Sequence, residues 1–327
     1  MQQMARRPHL YFHAPCFDGT VSAVLTLDFL KNSQGWHHVI LEPANYDLRT
    51  SWLALPLRQP CAVVDFLYHP QADFWADHHL TTFLTEEARR DFEAKSGKWH
   101  RYNRRAGSCA GLLWKHLRRM FGYRNARYEP LVAWAEKIDA ARYESVEEAI
   151  QCSAPALQIN VSLAGDNAKK WAVRLVSLLR TWTLEEVAGL PEVQARVAKI
   201  MQLDHLGRGR FAHSYRVEDG IVVFDVDARG VKLNRYLPYH FCPGALYSAG
   251  IERRKDGAKI TTMRNPWREF PSVFLGKLCE RFGGGGHRRV GAIMLSQAAA
   301  PNATRILEQL VGAIRMRHNR MKGGASR

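Results

Sequence analysis

Short apolar runs alternate with longer stretches of helical spacing through the first third of the chain. His9 to His13 (HLYFH), His38 to Leu41 (HVIL) and Cys61 to Phe66 (CAVVDF) predict three short strands. Asp73 to Ala76 leads into a fourth edge at Asp77. Gly19 to Lys31 carries apolar residues at helical spacing, with Asp18 placed to cap its start. Ser108 to Phe121 and Pro130 to Ala141 predict two more helices. Strands that alternate with helices predict a mostly parallel sheet covered on both faces.

The pattern then changes. From Asn167 to Leu206 it is helical throughout, with Trp171, Leu175, Leu178 and Leu179 on one face. After Gly207 it turns strand-rich: Ile221 to Val226, Ala245 to Arg253 and Lys259 to Arg264. A helix over Ser272 to Phe282 precedes a glycine run, and Ala303 to Arg320 reads as an amphipathic helix with a basic end. The expected architecture is α/β. A doubly wound, mostly parallel N-terminal sheet (1–160) is joined by a helical connector (161–206) to a smaller α/β domain (207–327).

The 327 residues fit about two domains at roughly 150 residues each. Hydrophobic residues at 46% and charged residues at 24% exclude disorder, a collagen-like repeat and a coiled-coil rod. No apolar run approaches the ~18 residues that a membrane helix needs. The polar N-terminus carries no secretory pattern. Six cysteines at irregular spacing, with no CxxC pair, form a reduced, cytoplasmic pattern. The balance of 47 basic to 31 acidic residues gives +16, a field that attracts polyanions or merely solubilises the surface.

Four segments end an apolar stretch with acids or histidines. They are His13-Ala-Pro-Cys16-Phe-Asp18-Gly19, Asp65 after CAVV, Asp77-His78-His79, and Asp139 late in a helix. In a parallel sheet the carboxyl ends of strands meet at one edge, so these groups can surround divalent metals. Mixed nitrogen and oxygen donors suit manganese, whereas a thiolate shifts the choice toward zinc or iron. Singly, each is also explained as a core residue, a turn cap or an apolar filler.

Together, and in this order, the segments resemble the DHH phosphoesterase superfamily, in the branch with a C-terminal DHH-associated domain. Asp77-His78-His79 is the triplet, and Phe282-Gly283-Gly284-Gly285-Gly286-His287, followed by Arg288, is the C-terminal signature about 200 residues later. The resemblance runs from His9 to Leu295. It implies two divalent metals, manganese first, with zinc, iron or magnesium open. Asp65 would bridge them. His13, with position 16 beside it, would join one, and Asp18, His78 and Asp139 the other. His79 would face the substrate phosphate, and Asp77 would orient the histidines. Position 16 departs from the common pattern: the family usually has aspartate there, and this chain has Cys16.

Consecutive glycines permit positive φ and close backbone approach to an anion, and Gly284, Gly285 and Gly286 with His287 and Arg288 suit a phosphate grip. The bland reading is a hinge. Arg264 ends a strand where the resemblance implies a phosphate-binding arginine. Lys95 to Arg105 interleaves basic residues with Trp99 and Tyr102, which suits single-stranded nucleic acid or a solvated loop. The expected function is metal-dependent hydrolysis of short RNA, single-stranded DNA ends or a dinucleotide, in a cleft between two domains. The alternatives are a phosphatase of pyrophosphate, polyphosphate or a phosphoadenosine, and a nucleotide-binding protein weakened at position 16.

Overall fold

The structure, a computed structural model, describes residues 7–286 and 288–324. In chain order the elements begin with β1 (His9–His13), α1 (Phe17–Gln34), β2 (Ile40–Ala44), β3 (Cys61–Val64), β4 (Phe74–Asp77) and α2 (Glu86–Lys95). Next come β5 (His100–Tyr102), α3 (Cys109–Phe121), α4 (Glu129–Asp139), α5 (Val146–Gln151), α6 (Pro155–Ser162), α7 (Ala168–Leu179), α8 (Leu184–Ala188) and α9 (Pro191–Ala212). The rest are β6 (Tyr215–Glu218), β7 (Ile221–Asp227), α10 (Leu237–Phe241), β8 (Tyr247–Arg254), β9 (Gly257–Arg264), α11 (Leu275–Glu280), β10 (Gly285–Gly286), β11 (Val290–Ser296) and α12 (Ala303–Gly324). They fall into two units, residues 1–142 with 152–197 and residues 143–151 with 198–327.

In the first unit five parallel strands run in the order β2-β1-β3-β4-β5. Alternation sorts their side chains to two faces. Leu10, Phe12, Ala62, Val64, Phe74 and Ala76 join one core with α1, α3 and α7, while Tyr11, Cys61, Val63 and Trp75 join another with Ala88 and Phe92 of α2. Thirteen residues of α1 are buried, so it is a covered central helix rather than an amphipathic one.

Several boundaries differ from the sequence expectation, each for a local reason. Helix α1 starts at Phe17, with Cys16 in the cap position making no side-chain cap bond. Asp18 therefore sits inside the first turn and does not cap α1. The helical stretch after Asn167 is broken before α8, where Thr183 and Glu186 form a capping box. Trp171, Leu175 and Leu179, in the segment expected as a connector, lie in the core of the first unit.

The second unit holds a six-stranded sheet in the order β10-β11-β9-β8-β7-β6, antiparallel except for β7 and β8. Ile251, Ile260 and Ile293 pack against Leu278 of α11 and Leu310 and Ile314 of α12. No helix among the described residues is long and apolar enough to cross a membrane.

Candidate metal centre

Strand order 2-1-3-4-5 reverses direction between β1 and β3, and an α/β sheet binds ligands outside the carboxyl ends of its strands at that point. His13 ends β1, Asp65 follows β3, and Asp77 ends β4 with His78 and His79 beyond it. The chain leaves β1 and enters α1 in a turn so close that a Cβ on Gly19 would lie 2.0 Å from the His13 carbonyl oxygen and 3.1 Å from Asp65 Oδ2. Glycine is the residue this approach requires. It brings Cys16 and Asp18 to the end of β3.

Asp65 adopts a left-handed backbone (φ 55°), which aspartate tolerates better than most side chains. Its amide donates to the Ala76 carbonyl at 2.9 Å, which ties the turn to β4. Its side chain is 1% exposed, and neither carboxylate oxygen has a hydrogen-bond partner among the described residues. His13 Nδ1 lies 3.4 Å from Oδ2, and His78 Nε2 lies 3.7 Å from Oδ1. Both of those nitrogens also lack a hydrogen-bond partner among the described residues. Burial, with the Asp18 charge beside it, pushes the Asp65 carboxyl well above the usual carboxylate range, against the pull of His13.

The triplet divides its work. Asp77 Oδ1 accepts from the His78 amide at 2.8 Å and from His79 Nδ1 at 2.7 Å. Burial opposes the Asp77 anion, but His79 and His78 outweigh it and hold the carboxyl low. The same pairing acts on His79: burial disfavours its cation, yet Asp77 holds its pKa up at about 9. His78 Nδ1 donates to the Ala106 carbonyl at 3.2 Å, which turns Nε2 inward. Nε2 lies 3.7 Å from Asp18 Oδ2 and 3.4 Å from Asp139 Oδ2, the latter on the last, exposed residue of α4.

Asp18 has a second task. Its two oxygens accept from the Cys109 amide (2.6 Å) and the Ala110 amide (2.8 Å), so it holds the N-terminus of α3 from 91 residues away. Cys16 is a protonated thiol here: burial, then the Asp139 and Asp18 charges, push its pKa to about 12.

The eight residues singled out in the first unit thus come together. Their donor atoms form three groups, each within 4.8 Å: His13-Cys16-Asp65, Asp18-His78-Asp139 and Asp65-Asp77-His78-His79. Buried carboxylates and inward ring nitrogens that lack a hydrogen-bond partner among the described residues fit divalent metal ions.

The second-unit residues have their own geometry. Arg264 is 8% exposed; its Nη1 donates to the Asn265 carbonyl at 3.0 Å, and its Cζ lies 4.5 Å from the Phe270 ring centre. The Arg264 amide donates to the Arg289 carbonyl at 2.8 Å, placing it beside the glycine-rich segment. A Cβ on Gly284 would meet the Ala292 carbonyl oxygen at 2.2 Å, and one on Gly286 the Val290 oxygen at 2.4 Å. Close sheet pairing therefore accounts for these two glycines. Gly285 pairs with Ala292, and the Arg288 side chain is exposed. His287 lies outside the described residues.

Two participants had no sequence signal. The Tyr46 ring, in a short 3₁₀ turn after β2, lies 5.1 Å from His13 and 6.1 Å from His79. Burial pushes its hydroxyl pKa up, so it stays protonated. The Ala106 carbonyl that orients His78 is backbone, which no residue pattern reveals.

No family model matches the chain, and no curated protein matches it. Solved structures do. A pGpG-specific phosphodiesterase, PggH from Vibrio cholerae, aligns over 94% of this chain and 99% of its own, at 19% identity and a TM-score of 0.70. RecJ from Thermus thermophilus in complex with Mn2+ aligns over 94% of this chain and 52% of its own, at 14% identity and 0.56. The DHH domain of a member of a ribosomal-protein family aligns over 94% and 86%, at 14% and 0.53. The chain has the fold of the DHH phosphoesterases. In that fold Asp77-His78-His79 stands at the end of β4, and Gly285-Gly286 forms β10.

Proposed function

We propose that the chain is a divalent-metal-dependent phosphodiesterase that cleaves short oligonucleotides or single-stranded ends. The observation that carries this reading is the set of buried, unmatched ligand atoms on His13, Asp65 and His78 at the switch point of the sheet. His13, Cys16 and Asp65 would hold one cation, and Asp18, His78 and Asp139 a second, with Asp65 between them. Divalent cations in such a site lower the pKa of a water to near neutrality and offset charge on a phosphoryl group. Donors of mixed nitrogen and oxygen type favour manganese.

The protein's own groups do the positioning. Ala106 fixes the His78 ring through Nδ1, so that Nε2 would be the ligating nitrogen. Asp77 fixes His79 and keeps it protonated, which makes it a donor to a substrate phosphate oxygen. Tyr46 and Phe66 wall the His13 side. Arg264 and Arg288 are the proposed phosphate-binding residues of the second unit. The fold shared with a pGpG phosphodiesterase supports substrates as short as a dinucleotide.

A ladder of labelled RNA and DNA oligomers, incubated with manganese, magnesium or zinc and resolved by length, tests the reading. Stepwise shortening with manganese is expected. Intact oligomers under every metal would overturn it, and preferential hydrolysis of inorganic polyphosphate would replace it with a phosphatase.

A further inference from the structure

The run Lys95 to Arg105 does not behave as one basic loop. Lys95 Nζ is bound to the Pro70 carbonyl and Asp91, Lys98 lies over the Phe121 ring, and Trp99 packs inward on Phe29 and Phe121. His100 is buried and bound to the Ala72 carbonyl. What remains on the surface is the end of the run. There Arg104 and Arg105, with Arg89, Leu80, Phe83 and Tyr102, line an open cleft of about 550 Å³.

Three features give the cleft a chemistry. It is lined by three guanidinium groups and no carboxylate. Arg89 is partly matched by Glu93 at 3.5 Å, whereas the Arg104 and Arg105 side chains make no ion pair among the described residues. Phe83 and Tyr102 supply aromatic wall, and Leu80, 43% exposed, supplies an apolar one.

The cleft also shares its backbone with the triplet. Leu80 directly follows His79, and the Tyr102 hydroxyl donates to the His79 carbonyl at 3.1 Å. The Asn103 amide donates to the Asp77 carbonyl at 3.3 Å. A substrate held at His79 therefore has this cleft at its flank.

We propose that the cleft beside the triplet is a nucleotide subsite, in which Arg104 and Arg105 bind backbone phosphates and Tyr102 and Phe83 face a base of single-stranded nucleic acid. Cationic groups that track phosphates, with aromatic surface for bases, are the recurring recipe for single strands. An inorganic polyphosphate would use the arginines and leave the aromatic wall idle. The proposal rests on the phosphodiesterase reading for its substrate, and binding separates the two.

The test is equilibrium binding of a fluorescent DNA pentamer to the full chain in EDTA, read by anisotropy across a salt series. The variants are Arg104→Ala/Arg105→Ala and, as a control for lost charge on the same unit, Lys169→Ala/Arg174→Ala. Each lost charge-assisted contact is expected to weaken binding on the order of tenfold. Each should also flatten the dependence of log affinity on log salt by about 0.7. The control should stay within about threefold of wild type. Equal losses in both variants, or none in the cleft variant, would overturn the proposal. So would tighter, equally arginine-dependent binding of a polyphosphate of matched charge. Cleft-dependent pentamer binding by a wild type that hydrolyses nothing would sink the catalytic reading and leave the subsite standing.

Discussion

Asp65 Oδ1 lies 3.7 Å from His78 Nε2, and neither atom has a hydrogen-bond partner among the described residues. Two buried groups that face each other without bonding are costly, about 1–3 kcal/mol for each unsatisfied group. A cation held between them would turn that cost into ligation. Asp65→Asn should therefore lower turnover by at least a few hundredfold. That exceeds the 10–100-fold typical when a group that only orients a ligand is lost. Asp77→Asn, which removes such an orienting group, should fall in the smaller range. Metal-dependent hydrolysis of bis-p-nitrophenyl phosphate by the two variants checks the order.

The His79–Asp77 pair predicts a pH dependence of the metal-free protein. The His79 pKa is raised in the folded state, from 6.5 to about 9. A raised pKa means that the folded state holds its proton more tightly. The stabilisation is complete below pH 6.5 and is lost as pH rises toward 9. Melting temperatures in EDTA should fall more steeply over that window for wild type than for His79→Gln. Parallel curves would remove the pairing from the account.

Gly19→Ala tests the close turn between β1 and α1. The added methyl would sit 2.0 Å from the His13 carbonyl, a backbone atom that cannot swing aside. A loss of about 1–3 kcal/mol in stability is expected. Metal affinity should fall as well, because His13 and Asp18 flank the displaced turn. Chemical denaturation and manganese titration report the two effects separately.

What the sequence made legible follows from where water reaches the sheet. Strand β1 matches the expected His9 to His13 because it is central and its apolar residues run unbroken. Strand β2 runs on to Ala44, past Pro43, which an edge strand can accommodate, whereas His38 and Val39 stay outside it. Strand β5, the other edge, hid among the basic residues before Tyr102, since edge strands tolerate charge. The acids and histidines of the candidate site were visible because their segments end or follow apolar stretches. Asp18 as an anchor for α3 was not, because its partners are amides 91 and 92 residues away.

Cys16 separates ligand from filler. Its thiol pKa of about 12 in the cation-free site means that ligation must expel a proton. Zinc binding to wild type should release about one more proton than binding to Cys16→Ser, measured by calorimetry in buffers of different ionisation enthalpy. Cys16→Asp should keep activity and move the metal preference toward manganese. Equal proton release and equal metal profiles would make Cys16 a packing residue.

The central claim is that hydrolysis requires cations gathered around Asp65. The most direct measurement strips the protein with EDTA, restores manganese in steps, and follows bis-p-nitrophenyl phosphate hydrolysis by wild type and Asp65→Ala. The account predicts no hydrolysis without metal, recovery in wild type as manganese is restored, and none in the variant. Hydrolysis by Asp65→Ala at the wild-type rate, or full wild-type activity in EDTA, would contradict it.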